Sequence, residues 1–292
     1  MTDLPLELDH VGVAVNDLDV GRDAYQRLGF TLTPRSIHSG SKTPGGPVEP
    51  WGSGNHCAMF QEGYLELIGL TDPDLYSSAQ AMLERHQGAH IVAIGSGEAD
   101  AAYAALAARF EGVEPPSKLQ RDASFGPDGE ETRLAAFRNI YLAPESFPEA
   151  MMIFIEHLTR DVLWQPHLLD HPNGAVAMAE VVFCVADVAA TSGRLQRLFG
   201  AEPTEPQPGA ARFAFERGAV YVIDAARLAI WTPGVEPPCL PYVAAVGITV
   251  RDLGATKDLL SRNGVDFTDH PYPAIWVGPA DTCGPVLSFI QA

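Results

Sequence analysis

The chain is short of basic residues and has no long apolar run. Its 292 residues include 19 Lys and Arg against 37 Asp and Glu, a formal net charge of −18. Such a surface repels the phosphate groups of nucleic acids and of anionic membranes, so neither is expected as a partner. No apolar run approaches the roughly 20 residues of a membrane span, and no basic segment precedes an apolar one at the N-terminus. We therefore expect a soluble chain without a secretion signal.

Cysteine is also scarce, and several well-known catalytic motifs are missing. No two of the four cysteines form a Cys-x-x-Cys pair; they are Cys57, Cys184, Cys239 and Cys283. A disulfide framework or a zinc ribbon is therefore not expected. A reducing, cytoplasmic setting is expected instead. The sequence contains no glycine-rich phosphate loop, no Gly-x-Ser-x-Gly elbow and no dinucleotide fingerprint. Nucleotide-dependent chemistry and serine hydrolysis are accordingly not expected.

The chain does contain a pattern that recurs four times. Each copy has an apolar strand, an acidic or polar cap, an amphipathic helix, a glycine turn and then shorter β-like runs. The polar cap can accept hydrogen bonds from the free N–H groups at the helix start, and glycine suits the left-handed position after the helix. The pattern predicts an α+β fold of four βαβββ units, whose first strands lie at 8–15, 89–94, 179–185 and 245–250.

The four units pair by sequence into two domains, at 1–160 and 175–292. Pro166, Pro172 and Gly174 interrupt regular structure between them. Two domains also agree with a typical size of about 150 residues per domain. The range 36–55 is rich in Gly, Pro and Ser, and it is predicted to be a long loop, either a lid over a site or a disordered segment.

Tandem βαβββ units with a histidine in the first strand resemble the vicinal oxygen chelate superfamily. That group includes glyoxalase I, extradiol dioxygenases, fosfomycin-resistance enzymes and bleomycin-binding proteins. The resemblance rests on the run from Leu8 to Leu18, on Leu28-Gly29-Phe30, and on Tyr64-Leu65-Glu66-Leu67-Ile68, which is similar to a glyoxalase-like subgroup. It implies two tandem half-barrel domains that act on a small molecule.

The resemblance also implies a metal site in the first domain, with ligands from the first and last strands of each unit. Mapped onto this sequence, the ligands are His10, Glu66, His90 and Glu156. Two imidazoles and two carboxylates suit a divalent ion such as Zn, Ni, Mn or Fe, with positions left open for substrate oxygens. His157 follows Glu156, and a shift of one residue in register would exchange their faces.

Three functions follow as alternatives. The first is a metal-dependent lyase or isomerase acting on vicinal oxygens, in which Glu66 or Glu156 is the catalytic base and Asn55 and Arg138 bind the substrate. The second is a non-haem Fe(II) dioxygenase that uses His10, His90 and one carboxylate. The third is a metal-free half-barrel that sequesters a small, drug-like ligand.

The second domain departs from the predicted ligand pattern. Glu180 stands where His10 stands, and Ala245 stands where His90 stands. Because both histidines are missing, this half is predicted to bind no metal. We expect it instead to cover or shape the pocket of the first half, or to mediate dimerisation. The half-barrels could pair within one chain or between two, so a homodimer is an open alternative.

Overall fold

The computed structural model describes residues 4–40 and 46–292, and its first half contains two βαβββ units. The first unit consists of β1 (Glu7–Val15), α1 (Leu18–Arg27), β2 (Ser36–Gly40), β3 (Glu49–Met59) and β4 (Tyr64–Leu70). A short helix, α2 (Ala79–Leu83), leads to the second unit, which consists of β5 (Gly88–Gly95), α3 (Ala99–Ala107), β6 (Ser117–Phe125), β7 (Glu131–Tyr141) and β8 (Met151–His157).

The second half repeats this arrangement after the short helix α4 (Arg160–Leu163) and a 3₁₀ turn (Pro166–Leu168). The third unit consists of β9 (Ala175–Cys184), α5 (Val188–Phe199), β10 (Thr204–Gln207), β11 (Ala210–Ala214) and β12 (Ala219–Ile223). After α6 (Ala225–Trp231), the fourth unit consists of β13 (Tyr242–Val250), α7 (Leu253–Arg262), β14 (Thr268–Asp269), β15 (Ala274–Val277), α8 (Pro279–Thr282) and β16 (Val286–Gln291). The predicted α+β fold of four βαβββ units is thus confirmed.

Three of the four long helices begin where the polar cap predicts. The side chains of Asp17, Asp187 and Asp252 accept hydrogen bonds from backbone N–H groups in the first turns of α1, α5 and α7. These contacts satisfy donors that have no partner inside the helix. Helix α5 ends at Gly200, whose φ of 68° lies in the left-handed region that favours glycine.

Strand pairing joins the units two by two. In every unit the first and last strands are parallel neighbours, as in β1–β4 and β9–β12. Units one and two join through the antiparallel pair β1–β5, and units three and four through β9–β13. Each half is therefore an eight-stranded half-barrel formed within this chain. The exact domain limits, 1–160 and 175–292, stay a prediction.

Strand alternation separates two apolar layers in the N-terminal half. On β4, Leu65 and Leu67 are fully buried against the helices, whereas Tyr64, Glu66 and Ile68 face the concave side. Each buried leucine contributes about 1.5–3 kcal/mol. The helix-side layer therefore holds the sheet in shape and leaves the concave side for other groups.

The predicted long loop at 36–55 is wrong over most of its length. β2 and β3 occupy it and pair in antiparallel fashion, with Ser36 opposite Asn55. Gly54 permits this pairing, because a Cβ there would lie 2.6 Å from the Ser36 carbonyl oxygen. Composition favoured a loop, but pairing with neighbouring strands supplies the backbone hydrogen bonds. Residues 41–45, part of the same prediction, lie outside the described residues.

The expectations for membrane spans and for disulfides concern the helices and the cysteines. Within residues 4–40 and 46–292, no helix is long and apolar enough to cross a membrane. All four cysteines are free thiols, and three of them are buried.

Candidate functional site

The concave face of the N-terminal half-barrel encloses a cavity of about 190 Å³. The first unit contributes a mainly polar wall, which consists of His10, Tyr64, Glu66 and Ile68. The second unit contributes a mainly apolar wall, which consists of Ile91, Leu119, Arg121, Phe137, Asn139, Tyr141, Met151, Ile153 and Ile155. The cavity therefore has its histidine and its carboxylate on the same side.

A β-bulge in β1 places Asp9 beside His10. The register with β5 shifts between Leu8 and His10, so Asp9 has no partner in the β1–β5 ladder. A bulge lets consecutive side chains approach each other where a regular strand would point them to opposite faces. The Nδ1–H of His10 donates to Oδ1 of Asp9 over 2.7 Å, and the imidazole stacks on Tyr64 with the ring centroids 4.3 Å apart.

This hydrogen bond fixes the tautomer of His10. With its proton on Nδ1, the neutral ring carries a free electron pair on Nε2. No hydrogen bond to Nε2 is made by any residue in the described part of the chain. His10 therefore presents a basic nitrogen in the wall of the cavity.

Asp9 is a buried carboxylate held by two histidines. Besides His10, the Nε2–H of His157 donates to Oδ2 of Asp9 over 3.0 Å. Burial alone would raise the pKa of Asp9, but the hydrogen bonds and charges of the two histidines outweigh it and hold that pKa well below its usual range. Asp9 is therefore ionised at neutral pH and accepts hydrogen bonds from both histidine rings.

Glu66 and Asn55, both predicted site residues, lie together. The side-chain amide of Asn55 donates to Oε1 of Glu66 over 2.5 Å. Among the residues described, none hydrogen-bonds to Oε2 of Glu66, and Glu66 lines the cavity. The structure thus brings together His10, Glu66 and Asn55, while their functional roles stay predictions.

Arg121 is a cavity residue that sequence reasoning missed. It lies on β6 and donates a long hydrogen bond of 3.4 Å to the Ser36 hydroxyl on β2. The two outer strands of the half-barrel therefore meet here and help to close the cavity. Arg121 forms no ion pair with any carboxylate of the described ranges. An arginine in this position is suited to an anionic group of a ligand.

His90 is not where the predicted metal site requires it. Gly12 pairs with Ile91 and Val13 with Ala89, so a second bulge leaves His90 outside the ladder. The His90 Nε2–H donates to the His86 carbonyl oxygen over 2.8 Å, and the two rings are 4.2 Å apart. Ile91, one residue later, lines the cavity with His10. Ile91, and not the predicted His90, therefore faces the cavity, because the alternation of apolar residues along a strand does not reveal a bulge.

Glu156 and Arg138 face the helices instead of the cavity. Ile153 and Ile155 line the cavity, so alternation turns Glu156 to the opposite face. Its Oε2 accepts a hydrogen bond from the backbone N–H of Ala99 over 3.0 Å, at the positive end of α3. Arg138 donates to both oxygens of Asp100, over 2.8 and 2.6 Å. The predicted roles of Glu156 as a ligand or base and of Arg138 in substrate binding do not agree with this placement.

The predicted four-ligand metal site therefore does not fit the residues present. His90 does not line the cavity of His10 and donates its Nε2–H to a carbonyl, and Glu156 caps a helix on the other face of the sheet. Of the four predicted ligands, only His10 and Glu66 line this cavity. Within the described ranges, no three His, Cys, Asp or Glu side chains form a group that could hold a metal ion. A divalent metal stays a prediction for this chain.

The corresponding position in the C-terminal half carries Glu180. Its side chain lies across Gly247, where a Cβ would be 2.3 Å from Cγ of Glu180. Burial raises the pKa of Glu180 to about 7, and the nearby charge of Arg212 opposes this only in part. Arg212 itself donates through Nε to the Tyr221 hydroxyl over 3.1 Å.

Comparison with known proteins identifies the family of this chain. The family described as a glyoxalase-like domain matches residues 8–199, which is well over half of the chain. The chain belongs to this glyoxalase-like family. The match covers the entire N-terminal half-barrel and extends through α5 of the other half. Among curated proteins, no sequence match was found.

Solved structures show the same fold. A hypothetical protein from Staphylococcus aureus has a TM-score of 0.64 at 14% identity, covering 98% of this chain and 100% of that one. A mutant 4-hydroxymandelate synthase from Streptomyces coelicolor has a TM-score of 0.58 at 13% identity, covering 99% and 93%. The Mn(II)-bound glyoxalase from Novosphingobium aromaticivorans has a TM-score of 0.56 at 10% identity, covering 100% and 83%. At 10–14% identity, these neighbours show that this glyoxalase-like chain shares their fold.

Proposed function

We propose that this glyoxalase-like protein is an isomerase or lyase that transfers a proton on a small 2-oxo acid. The observation that supports it is the Asp9–His10 pair, which presents a free imidazole nitrogen in the N-terminal cavity. A 2-oxo acid carries adjacent oxygens on its carbonyl and carboxylate groups, and its C3–H is acidic because the carbonyl stabilises the resulting enolate. One histidine positioned as a general base typically contributes 10²–10⁴-fold to such a step.

Each cavity group has a role in this proposal. Nε2 of His10 removes the proton from C3, and Asp9 stabilises the imidazolium that forms. Arg121 pairs with the substrate carboxylate. Glu66, held through Asn55, is the second group able to exchange protons with the substrate. The apolar wall from the second unit excludes water from the reacting atoms.

The other two functions receive less support from the geometry. A non-haem Fe(II) dioxygenase needs two histidines and a carboxylate around one ion, and His90 is turned away from the cavity of His10. A purely sequestering protein needs an apolar cavity, which is present, but it has no need of the buried Asp9–His10 pair.

Hydrogen exchange on substrate candidates tests the proposal without knowledge of the product. The protein is incubated in D₂O with pyruvate, 2-oxobutanoate and 2-oxooctanoate, and loss of the C3–H signal is followed by ¹H NMR. We expect the wild type to accelerate exchange and His10→Gln to lose nearly all of this acceleration. His167→Gln is the matched control, since His167 is an exposed histidine outside the 190 Å³ cavity.

Two outcomes would contradict the proposal. Equal exchange rates for the wild type and His10→Gln would remove His10 from the reaction and favour the sequestering function. The assay is repeated after dialysis against EDTA and after addition of Zn²⁺, Ni²⁺, Mn²⁺ or Fe²⁺. Exchange that is lost with the chelator and restored only by an added ion would support the metal-dependent lyase or isomerase instead.

A further inference from the structure

A second and larger cavity adjoins the first at the end of the half-barrel. Its volume is about 620 Å³, which lies within the range of roughly 300–1,000 Å³ for small-molecule sites, whereas 190 Å³ is below it. The two cavities share Tyr141 and Met151 as wall residues. Much of the outer lining is apolar and includes Met82, Leu142, Phe147 and Ala150.

The strands show that the two cavities lie end to end. On β8, Met151 belongs to both cavities, while Ile153 and Ile155 belong to the inner one alone. On β5, His90 lines the outer cavity and the next residue, Ile91, lines the inner one. The two cavities are therefore neighbours along β5 and β8 and share Tyr141 and Met151; the inner one has its polar wall beside His10, and the outer one is mainly apolar.

The outer cavity has few charges that would oppose an apolar ligand. Arg85 lies at its rim and donates to the Pro241 carbonyl oxygen over 3.0 Å. Burial lowers the pKa of His90, which keeps that ring neutral at physiological pH. Apart from Arg85 and Glu114, the residues that line it are uncharged at neutral pH.

From this arrangement we infer that the ligand of this protein is an amphipathic carboxylate with an extended aliphatic tail. Its carboxylate end lies in the inner cavity near Arg121, and its tail passes Tyr141 and Met151 into the outer cavity. The inference rests on the proposed function for the place of the polar end, and it extends the substrate class to long-chain acids. The outer cavity thereby determines which chain lengths bind.

Straight-chain acids without the oxo group are suitable probes, because they test binding separately from catalysis. Butanoate, octanoate and dodecanoate are titrated into the full-length protein by calorimetry, with ligand-observed NMR for the weakest. Burial of each further methylene should lower Kd up to about fourfold. We therefore expect Kd to fall by up to about two orders of magnitude between butanoate and octanoate.

A tryptophan variant tests whether the tail occupies the outer cavity. Ala81 is exposed on α2 and lines this cavity, so Ala81→Trp should fill it with little effect on folding. We expect this variant to bind butanoate as the wild type does, within about twofold, and to lose at least tenfold in affinity for dodecanoate. Ala104→Trp, at an exposed alanine of α3 outside both cavities, is the matched control and should behave as the wild type.

The outcomes separate this inference from the proposed function. If affinity does not depend on chain length, or if Ala81→Trp binds dodecanoate as the wild type does, the tail site is wrong. His10-dependent exchange on 2-oxobutanoate would then still support the proposed function. In the opposite case, affinity rises with chain length, Ala81→Trp abolishes this dependence, and no exchange occurs on any 2-oxo acid. The tail site is then supported and the proposed chemistry is wrong.

Discussion

The two half-barrels share one scaffold but place different groups at the same point of it. Asp17 and Asp187 cap equivalent helices, and seven residues before each of them stand His10 and Glu180. His10 is preceded by Asp9, which holds its ring, whereas Glu180 is preceded by Ala179. The position in the fold is thus the same, but of the two only His10 has a charged partner within hydrogen-bond distance in the described part of the chain.

The consequences of this difference are electrostatic. In the N-terminal half, a buried carboxylate is ionised because two histidines donate to it. In the C-terminal half, burial raises the pKa of Glu180 to about 7. Neighbouring side chains, more than the strand position, therefore decide whether a buried carboxyl carries charge.

The largest effect should distinguish the two equivalent positions in the exchange assay. His10→Gln should lower the rate of exchange by roughly 10²–10⁴-fold, because it removes the general base. Glu180→Gln should leave the rate within about twofold, because its half has no Asp9–His10 pair. The NMR exchange assay in D₂O measures both. A comparable loss in both variants would show that the halves act together in one reaction.

The second effect concerns the partner of His10. Asp9→Asn keeps the shape of the side chain but removes its charge, and it should lower stability at pH 7 by about 1–3 kcal/mol. Because the pKa of Asp9 is lowered on folding from 3.8, its contribution is present above about pH 4 and is lost as the pH falls further.

Urea denaturation at pH 7 and pH 3 checks this prediction. The difference in unfolding free energy between the wild type and Asp9→Asn should be smaller at pH 3. Asp258→Asn, at an exposed position of α7, is the control and should stay within about 0.5 kcal/mol of the wild type at both pH values. A difference that does not change with pH would mean that Asp9 is not ionised in the folded protein.

The third effect should have the opposite dependence on pH. The pKa of Glu180 rises on folding from 4.5 to about 7, so wild-type stability should fall as the pH rises from about 4.5 to 7. Glu180→Gln should remove this decline and be more stable than the wild type at pH 8 by about 1–3 kcal/mol. Urea denaturation at pH 5 and pH 8 measures it. A variant less stable than the wild type at pH 8 would show that the carboxylate has a stabilising partner.

The smallest effect concerns a residue that the sequence predicted as a ligand or base. Glu156→Gln weakens a contact at the start of α3, so stability should fall by only about 0.3–1 kcal/mol. The exchange rate should stay within about twofold, because the side chain faces the helices. Glu66→Gln is the comparison, since Glu66 lines the cavity and should affect exchange much more. A large loss of exchange in Glu156→Gln would support the role of Glu156 as a ligand or base that the sequence predicts.

Local sequence patterns predict the fold correctly and turn Glu66 to the side of the sheet where the cavity lies. The repeated strand, cap and helix pattern predicts the four units because both the caps and the apolar alternation are local properties. For the same reason, β4 could be predicted correctly: its alternation is unbroken, and it turns Leu65 and Leu67 to the helices and Glu66 to the concave side. Asn55 donates to Glu66, which lines the cavity, and its role in substrate binding stays a prediction.

The tertiary structure alone decided which groups meet in the cavity. Bulges at Asp9 and His90 depend on the pairing of β1 with β5, and they bring Asp9 to His10 and turn His90 away. Arg121 joins the site because the outer strands β6 and β2 meet, although the two residues that touch are 85 positions apart. Contacts between residues distant in sequence determine where a bulge forms and how a barrel closes. Local patterns of hydrophobicity cannot predict such contacts.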